Sequence, residues 1–134
     1  MAKHSYDYDL IVIGSGAGGS IAADIVAAAG KRVAVVEADL MGGQCPNWGC
    51  VPTKALLEAS RVLNTARGAE AFGVRTSTTG FNYPSVKAWK DHAVKRTGAH
   101  GMTKYYQEKG IGVYHGQAHF ISPHEITVNR RHLS

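Results

Sequence analysis

The sequence has no apolar run long enough to cross a bilayer. Its hydrophobic stretches are broken by Gly, Asp or Lys well short of the about 20 residues that a spanning helix needs. The opening "MAKHSYDYDL" has no apolar h-region, so no secretory signal is expected. Cysteine is scarce, with two among 134 residues, which excludes a framework of several disulfides. These absences favour the cytoplasm, where two thiols are more often reactive or metal-binding than permanently paired. The length suits one domain with a real core and excludes two of ordinary size. Basic runs are also missing. The net charge is +5, yet Lys and Arg are spread along the chain and cluster only as Lys31-Arg32, Lys95-Arg96 and Arg130-Arg131. Without a basic run of about five to eight residues or interleaved aromatics, neither nucleic acid nor a membrane is an expected partner.

Glycine, by contrast, is abundant: 16 residues, many of them in the first third. "YDLIVIG" (8–14) is a β-branched apolar run that reads as a buried strand. "GSGAGG" follows, then "SIAADIVAAAG", with Ile21 and Ile25 four apart on one helical face, small alanines around them, and Gly30 where a helix ends. "KRVAVVEAD" (31–39) reads as a second buried strand. Strand, helix, strand in about thirty residues predicts a βαβ unit with parallel strands. Gly14, Gly16 and Gly19 then form a G-x-G-x-x-G motif in its meaningful context. Gly14 permits the tight turn, Gly16 lets backbone approach a pyrophosphate, and Gly19 allows close helix–strand packing. The helix N-terminus offers free amides to the phosphates. Glu37, at the end of the second strand, stands where a carboxylate accepts from ribose hydroxyls. A dinucleotide site follows, for NAD or FAD alike.

Further on, "KALLEASRVLNTAR" (54–67) carries Leu56, Leu57, Ala59, Ser60, Leu63 and Ala66 close to a helical stripe. "GAEAFGVRTSTTGFN" (68–82) reads as loop. A helix is expected from Pro84, interrupted at Gly98 or Gly101. Residues 111–134 alternate like short strands, with a turn at "SPHE".

The two cysteines lie in "GGQCPNWGC" (42–50). A zinc site needs four ligands, and Cys45 and Cys50 are a loose half-site. The seven histidines offer only His115 with His119, or His119 with His124, in a segment that reads as strands. A permanent staple closing so small a loop adds little stability. A redox pair is the third reading. Five residues of ideal helix rise about 7.5 Å, beyond the roughly 7 Å Cα separation that a disulfide tolerates. The segment therefore departs from regular helix, which Pro46 and Gly49 permit. At a helix N-terminus, with Lys54 close behind, the local positive field is expected to lower the thiol pKa.

"GGQCPNWGCVPTK", with "DLIVIGSGAGG" and "VAVVEAD" before it, resembles the signature of the class I FAD-dependent pyridine nucleotide-disulfide oxidoreductases. That is the family of dihydrolipoamide dehydrogenase, glutathione reductase and mercuric reductase. The pattern G-G-x-C-x-N-x-G-C-x-P-x-K is met at Gly42, Gly43, Cys45, Asn47, Gly49, Cys50, Pro52 and Lys54. Gln44 stands where Thr is common, and Trp48 where a smaller apolar residue is common. The resemblance implies an α/β fold: a Rossmann-like FAD-binding domain, a parallel sheet with flanking helices, incomplete and ending in a C-terminal β-hairpin. Residues 1–134 would be the N-terminal portion of that domain, with the NAD(P)H and dimer-interface domains absent from the chain.

The resemblance also implies FAD at Gly14, Gly16, Gly19, Glu37, Gly43 and Gln44, with Gln117 and Ala118 near the adenine. Cys45 would be the interchange thiol, Cys50 the flavin-facing thiol, and Lys54 a residue at the flavin edge that tunes it. The full-length protein would be a homodimer. It would pass a hydride from NAD(P)H to FAD, and electrons on to the Cys45–Cys50 pair and a small disulfide, dithiol or metal-ion substrate. His124-Glu125 falls in a turn and is given no catalytic role. Two other readings remain: a non-catalytic dinucleotide-binding module, and a truncated remnant acting by association.

Overall fold

The computed structural model describes residues 6–77 and 80–134. The first five residues of the N-terminal reading, and Thr78 and Thr79 of the expected loop, lie outside them. Two compact units emerge: residues 1–43 with 99–134, and residues 44–98.

The first unit holds the expected βαβ. β1 (Leu10–Ile13), α1 (Ala17–Ala28) and β2 (Val33–Glu37) come first, and β3 (Gly112–His115) joins much later in the chain. The three strands form a parallel sheet in the order β1-β2-β3, with Ile11 opposite Ala34 and Val35 opposite Val113. β2 is central and all five of its residues are buried, whereas β1, with a single strand neighbour, buries only Val12. Similar apolar runs thus meet different fates according to their place in the sheet. α5 (Met102–Glu108) precedes β3, and Tyr106 on it joins Val12, Ala23, Val33, Val35, Met41 and Ile111 in one core cluster.

α1 packs differently from the expectation. Ile21 and Ile25 are 60% and 65% exposed, while Ala23 is fully buried and Val26 and Ala27 pack on the core. Small side chains face the sheet because only they permit the close approach, so the bulky pair turns outward. Gly30, with φ +74°, ends the helix as expected.

The C-terminal hairpin is present and gains a third strand. β4 (Ala118–Ser122), β5 (Glu125–Val128) and β6 (Arg131–Leu133) form an antiparallel sheet in chain order, turning at Pro123–His124 and again at Asn129–Arg130. The segment from Ile111, however, enters the parallel sheet as β3 rather than the hairpin. Ile126, Val128 and Leu133 bury against Val36, with Tyr8 and Tyr114 alongside. The Tyr8 and Tyr114 hydroxyls lie 2.5 Å apart, and burial together with that bond pushes the Tyr8 phenol up to about 12.

The second unit is helical. α2 (Gln44–Asn47) and α3 (Cys50–Arg67) are followed by a 3₁₀ turn at Ala69–Phe72 and by α4 (Tyr83–Arg96). Asn82 caps α4 through its side chain, which accepts from the Ser85 amide at 3.0 Å, and Pro84 occupies the first turn. α3 and α4 are tied by Trp89 Nε1 donating to the Ala55 carbonyl at 3.2 Å. The inward row of α3 is Pro52, Ala55, Ala59, Leu63 and Ala66, at spacings of three and four, while Leu56 and Leu57 point outward, which corrects the expected stripe.

Candidate functional site

In the first unit, Gly14 closes β1. Its amide donates to the Val36 carbonyl at 2.8 Å, and its φ of +93° is one that L side chains resist. Gly16 is the N-cap of α1, and a Cβ built on it would meet nothing within 4 Å, so the space over the loop is open. No side chain caps α1 and no acid sits in its first turn, which leaves its positive end to whatever anion occupies that space. Gly19 is the opposite case. A Cβ there would overlap the Gly14 carbonyl and stand 2.8 Å from Val12 Cγ1, so helix and strand meet only because the residue is glycine. Gly43 does the same for the following loop: with φ +68°, its Cβ would lie 2.8 Å from Gly16 Cα.

Glu37, the buried last residue of β2, turns its carboxylate to this loop. Oε2 accepts from the Ser15 amide at 2.8 Å and from the Ser15 hydroxyl at 2.6 Å, and Oε1 accepts from the Asp39 amide at 3.0 Å. Burial alone would push this carboxyl up. The Ser15 hydroxyl and the amides of Ser15, Asp39 and Ala38 outweigh it and hold the group below the ordinary carboxylate value. Gln117 and Ala118 follow a corner attached to the same strand end. The Gly116 amide donates to the Glu37 carbonyl at 2.8 Å, and Asn129 Nδ2 braces the corner by donating to the His115 carbonyl at 2.6 Å. Gln117 is exposed and Ala118 half-buried.

In the second unit, the expected break between the cysteines is real and sits at Gly49, not Pro46. Pro46 lies within the short turn α2, where a missing amide costs nothing. The Gln44 carbonyl accepts from both Trp48, at 2.8 Å, and Gly49, at 2.7 Å. This widened closure, with a bond from the fifth residue on, is followed by Gly49 at φ −106°, ψ −101°, outside helix, before α3 starts at Cys50. A Cβ on Gly49 would crowd the Gln44 carbonyl at 3.3 Å. Cys45 and Cys50 flank this break, both free and exposed. The neighbouring Cys50 thiol, aided by partial desolvation, pushes the Cys45 thiol up; the Cys50 amide and Lys54 pull the other way and lose. The expected lowering therefore does not hold at Cys45, because the effect of its partner thiol outweighs that of Lys54. Lys54 is exposed on the next turn of α3, and Gln44 is exposed at the start of α2.

The structure thus gathers Gly14, Gly16, Gly19, Glu37, Gly43 and the 116–118 corner in one unit, and Gln44, Cys45, Cys50 and Lys54 in the other. Among the described residues, no three His, Cys, Asp or Glu side chains cluster as metal ligands would.

The profile of the pyridine nucleotide-disulphide oxidoreductases matches residues 8–134. This chain belongs to that family. Among curated proteins it is similar to the dihydrolipoyl dehydrogenase of Acholeplasma laidlawii, 38% identical over 130 residues, which are 96% of this chain and 38% of the relative. The dihydrolipoyl dehydrogenase of Thermus scotoductus is 42% identical over 123 residues, 91% of this chain and 26% of the relative. That of Bacillus subtilis is 38% identical over 117 residues, 87% and 24% respectively. The chain spans about a quarter to two-fifths of the length of these relatives.

As a member of this family the chain carries one polar side chain that sequence reasoning passed over. Ser15 is fully buried, and besides serving Glu37 its hydroxyl accepts from the Gly42 amide at 2.9 Å. It occupies a variable position of the glycine motif, and its partners lie 22 and 27 residues away, so no local pattern could mark it. The residues present fit a dinucleotide. Open space over Gly16, an uncapped helix start and an ionised carboxylate at the strand end are what a diphosphate and a ribose require.

Proposed function

We propose that this chain is the N-terminal portion of the FAD-binding domain of an FAD-dependent NAD(P)H:disulfide oxidoreductase. The observation that carries this reading is the pair of free, exposed thiols on either side of the Gly49 break. FAD would be held by Gly14, Gly16, Gly19, Gly43 and Gln44, with Glu37 on the adenosine ribose and Gln117 and Ala118 beside the adenine. Bound flavin supplies two-electron exchange between a pyridine nucleotide and thiols. The chain's own part is the thiol chemistry. The Cys45 thiolate attacks one sulfur of a substrate disulfide and expels the other as a thiol. The Cys50 thiolate then breaks the mixed disulfide, releasing the second thiol and leaving a Cys45–Cys50 disulfide. Two electrons pass to the substrate, and the reverse sequence oxidises a dithiol. Lys54 is the flavin-edge residue and also favours the thiolate form of Cys45. The substrate class is a small disulfide, a dithiol or a metal ion. The whole protein works as a cytoplasmic homodimer, and these 134 residues alone do not turn over.

The test is an absorption spectrum of the chain with added FAD, before and after reduction by dithiothreitol or dithionite. Bound flavin should develop a long-wavelength band on two-electron reduction that Cys50→Ser abolishes. A band that survives Cys50→Ser would remove Cys50 from the flavin-facing role, and failure to bind FAD would remove the flavin reading of this chain.

A further inference from the structure

The dinucleotide reading leaves unexplained why the side chain of Ser15 is buried beneath the glycine loop. Its surroundings are specific. The Ser15 amide and hydroxyl both donate to Glu37 Oε2, at 2.8 and 2.6 Å, and the same hydroxyl accepts from the Gly42 amide at 2.9 Å. One hydroxyl therefore joins the end of β2 to the turn that leads through Gly43, whose Cα path runs against Gly16. A carboxylate offers about four acceptor positions. Ser15 fills those on Oε2, while Oε1 takes the Asp39 amide and retains room for a further donor.

We propose that Ser15 is the positioning residue of the nucleotide-ribose site, keeping the Glu37 carboxylate ionised and turned so that Oε1 receives a ribose hydroxyl. This inference rests on the dinucleotide reading above. No other side chain in the described first unit donates a hydrogen bond to Glu37. The loop from Gly14 to Ser20 carries no ionisable side chain. Asp39 contributes its amide, and His115, the register partner of Glu37 on β3, sets its ring against Thr103 Oγ1 at 3.5 Å. Without the Ser15 hydroxyl, burial of Glu37 remains while a principal opposing contact is gone. The carboxyl then rises toward neutrality and loses its orientation.

The experiment is FAD affinity by flavin-fluorescence titration between pH 5 and 8, for the wild-type chain, Ser15→Ala, Glu37→Gln and the double variant. Far-UV circular dichroism checks folding. Wild type should bind with a flat profile. Ser15→Ala should bind about tenfold more weakly at pH 7 and lose affinity further as pH falls toward 5. In the Glu37→Gln background, adding Ser15→Ala should change neither affinity nor profile. Should Ser15→Ala not fold, the near-isosteric Ser15→Cys, a weak donor, must reproduce the same acid loss. A Ser15 variant that weakens binding equally at every pH, or equally with Gln at position 37, has a merely structural role and overturns the inference. Wild-type chain that binds no FAD overturns the dinucleotide reading and this inference with it. Wild-type binding with an unaffected Ser15→Ala overturns this inference alone.

Discussion

The β-rich unit and the helical unit divide charge and burial unequally. Residues 1–43 and 99–134 carry seven Lys and Arg against seven Asp and Glu; residues 44–98 carry eight against three, so the whole net charge of +5 belongs to the helices. Among the described residues every buried hydrophobic lies in the β-rich unit except Ala55. A neutral unit with a sealed interior draws its stability from burial. A charged helical unit, with Ala55 its one buried hydrophobic among the described residues, leans on helix propensity, the Asn82 cap and exposed ion pairs such as Glu58–Arg61 and Lys87–Asp91. The proposed nucleotide contacts are thus mounted mainly on the first kind of structure and the thiols on the second.

The contrast can be broken most forcefully at Gly19. Gly19→Ala drives a methyl into the Gly14 carbonyl and Val12, and should cost about 3 kcal/mol of stability. Urea denaturation followed by strand and tyrosine signals reads it, since five of the six tyrosines lie in the β-rich unit. A wild-type midpoint would refute the close packing of α1 on β1.

Acid separates the units next. Glu37 titrates below its ordinary value of 4.5 in the folded state, so its contribution is complete above that pH and fades as pH falls through the lower folded value. Glu37→Gln should flatten this loss in the β-rich unit. An acid profile identical to wild type would show that another carboxylate governs the acid limb.

The smallest effect is expected at Leu57. It is 63% exposed, and Leu57→Ala should shift stability by no more than about 0.5 kcal/mol. Both tryptophans, Trp48 and Trp89, lie in the helical unit, so their fluorescence follows that unit during denaturation. A loss above 1 kcal/mol would reveal a burial partner for this face.

Much of this was legible in the sequence, for reasons that differ by residue. The βαβ unit was readable because glycine spacing and apolar runs are local signals, and so was the need for a helix break between the cysteines. The inward face of α1 was not: Ile21 and Ile25 looked like the core stripe until the sheet's demand for small neighbours favoured Ala23. That residues 111–134 form strands is legible, but that β3 joins the parallel sheet is not, because its partner, β2, lies some 78 residues earlier, beyond any local pattern. The break fell at Gly49 because the doubled acceptor at Gln44 is a three-dimensional fact. The direction of the Cys45 shift depends on which way a thiol points, which spacing does not encode.

The ends of the described chain are fastened together. The Tyr8 amide donates to the Ser134 carbonyl at 2.9 Å, while the Asp7 amide and carboxylate both bond the Ser134 side chain, at 3.1 and 3.2 Å. Ser134 thus acts as a clasp on the segment that leads into β1, so the lead into the parallel sheet and the last strand of the antiparallel one should fray and re-form together.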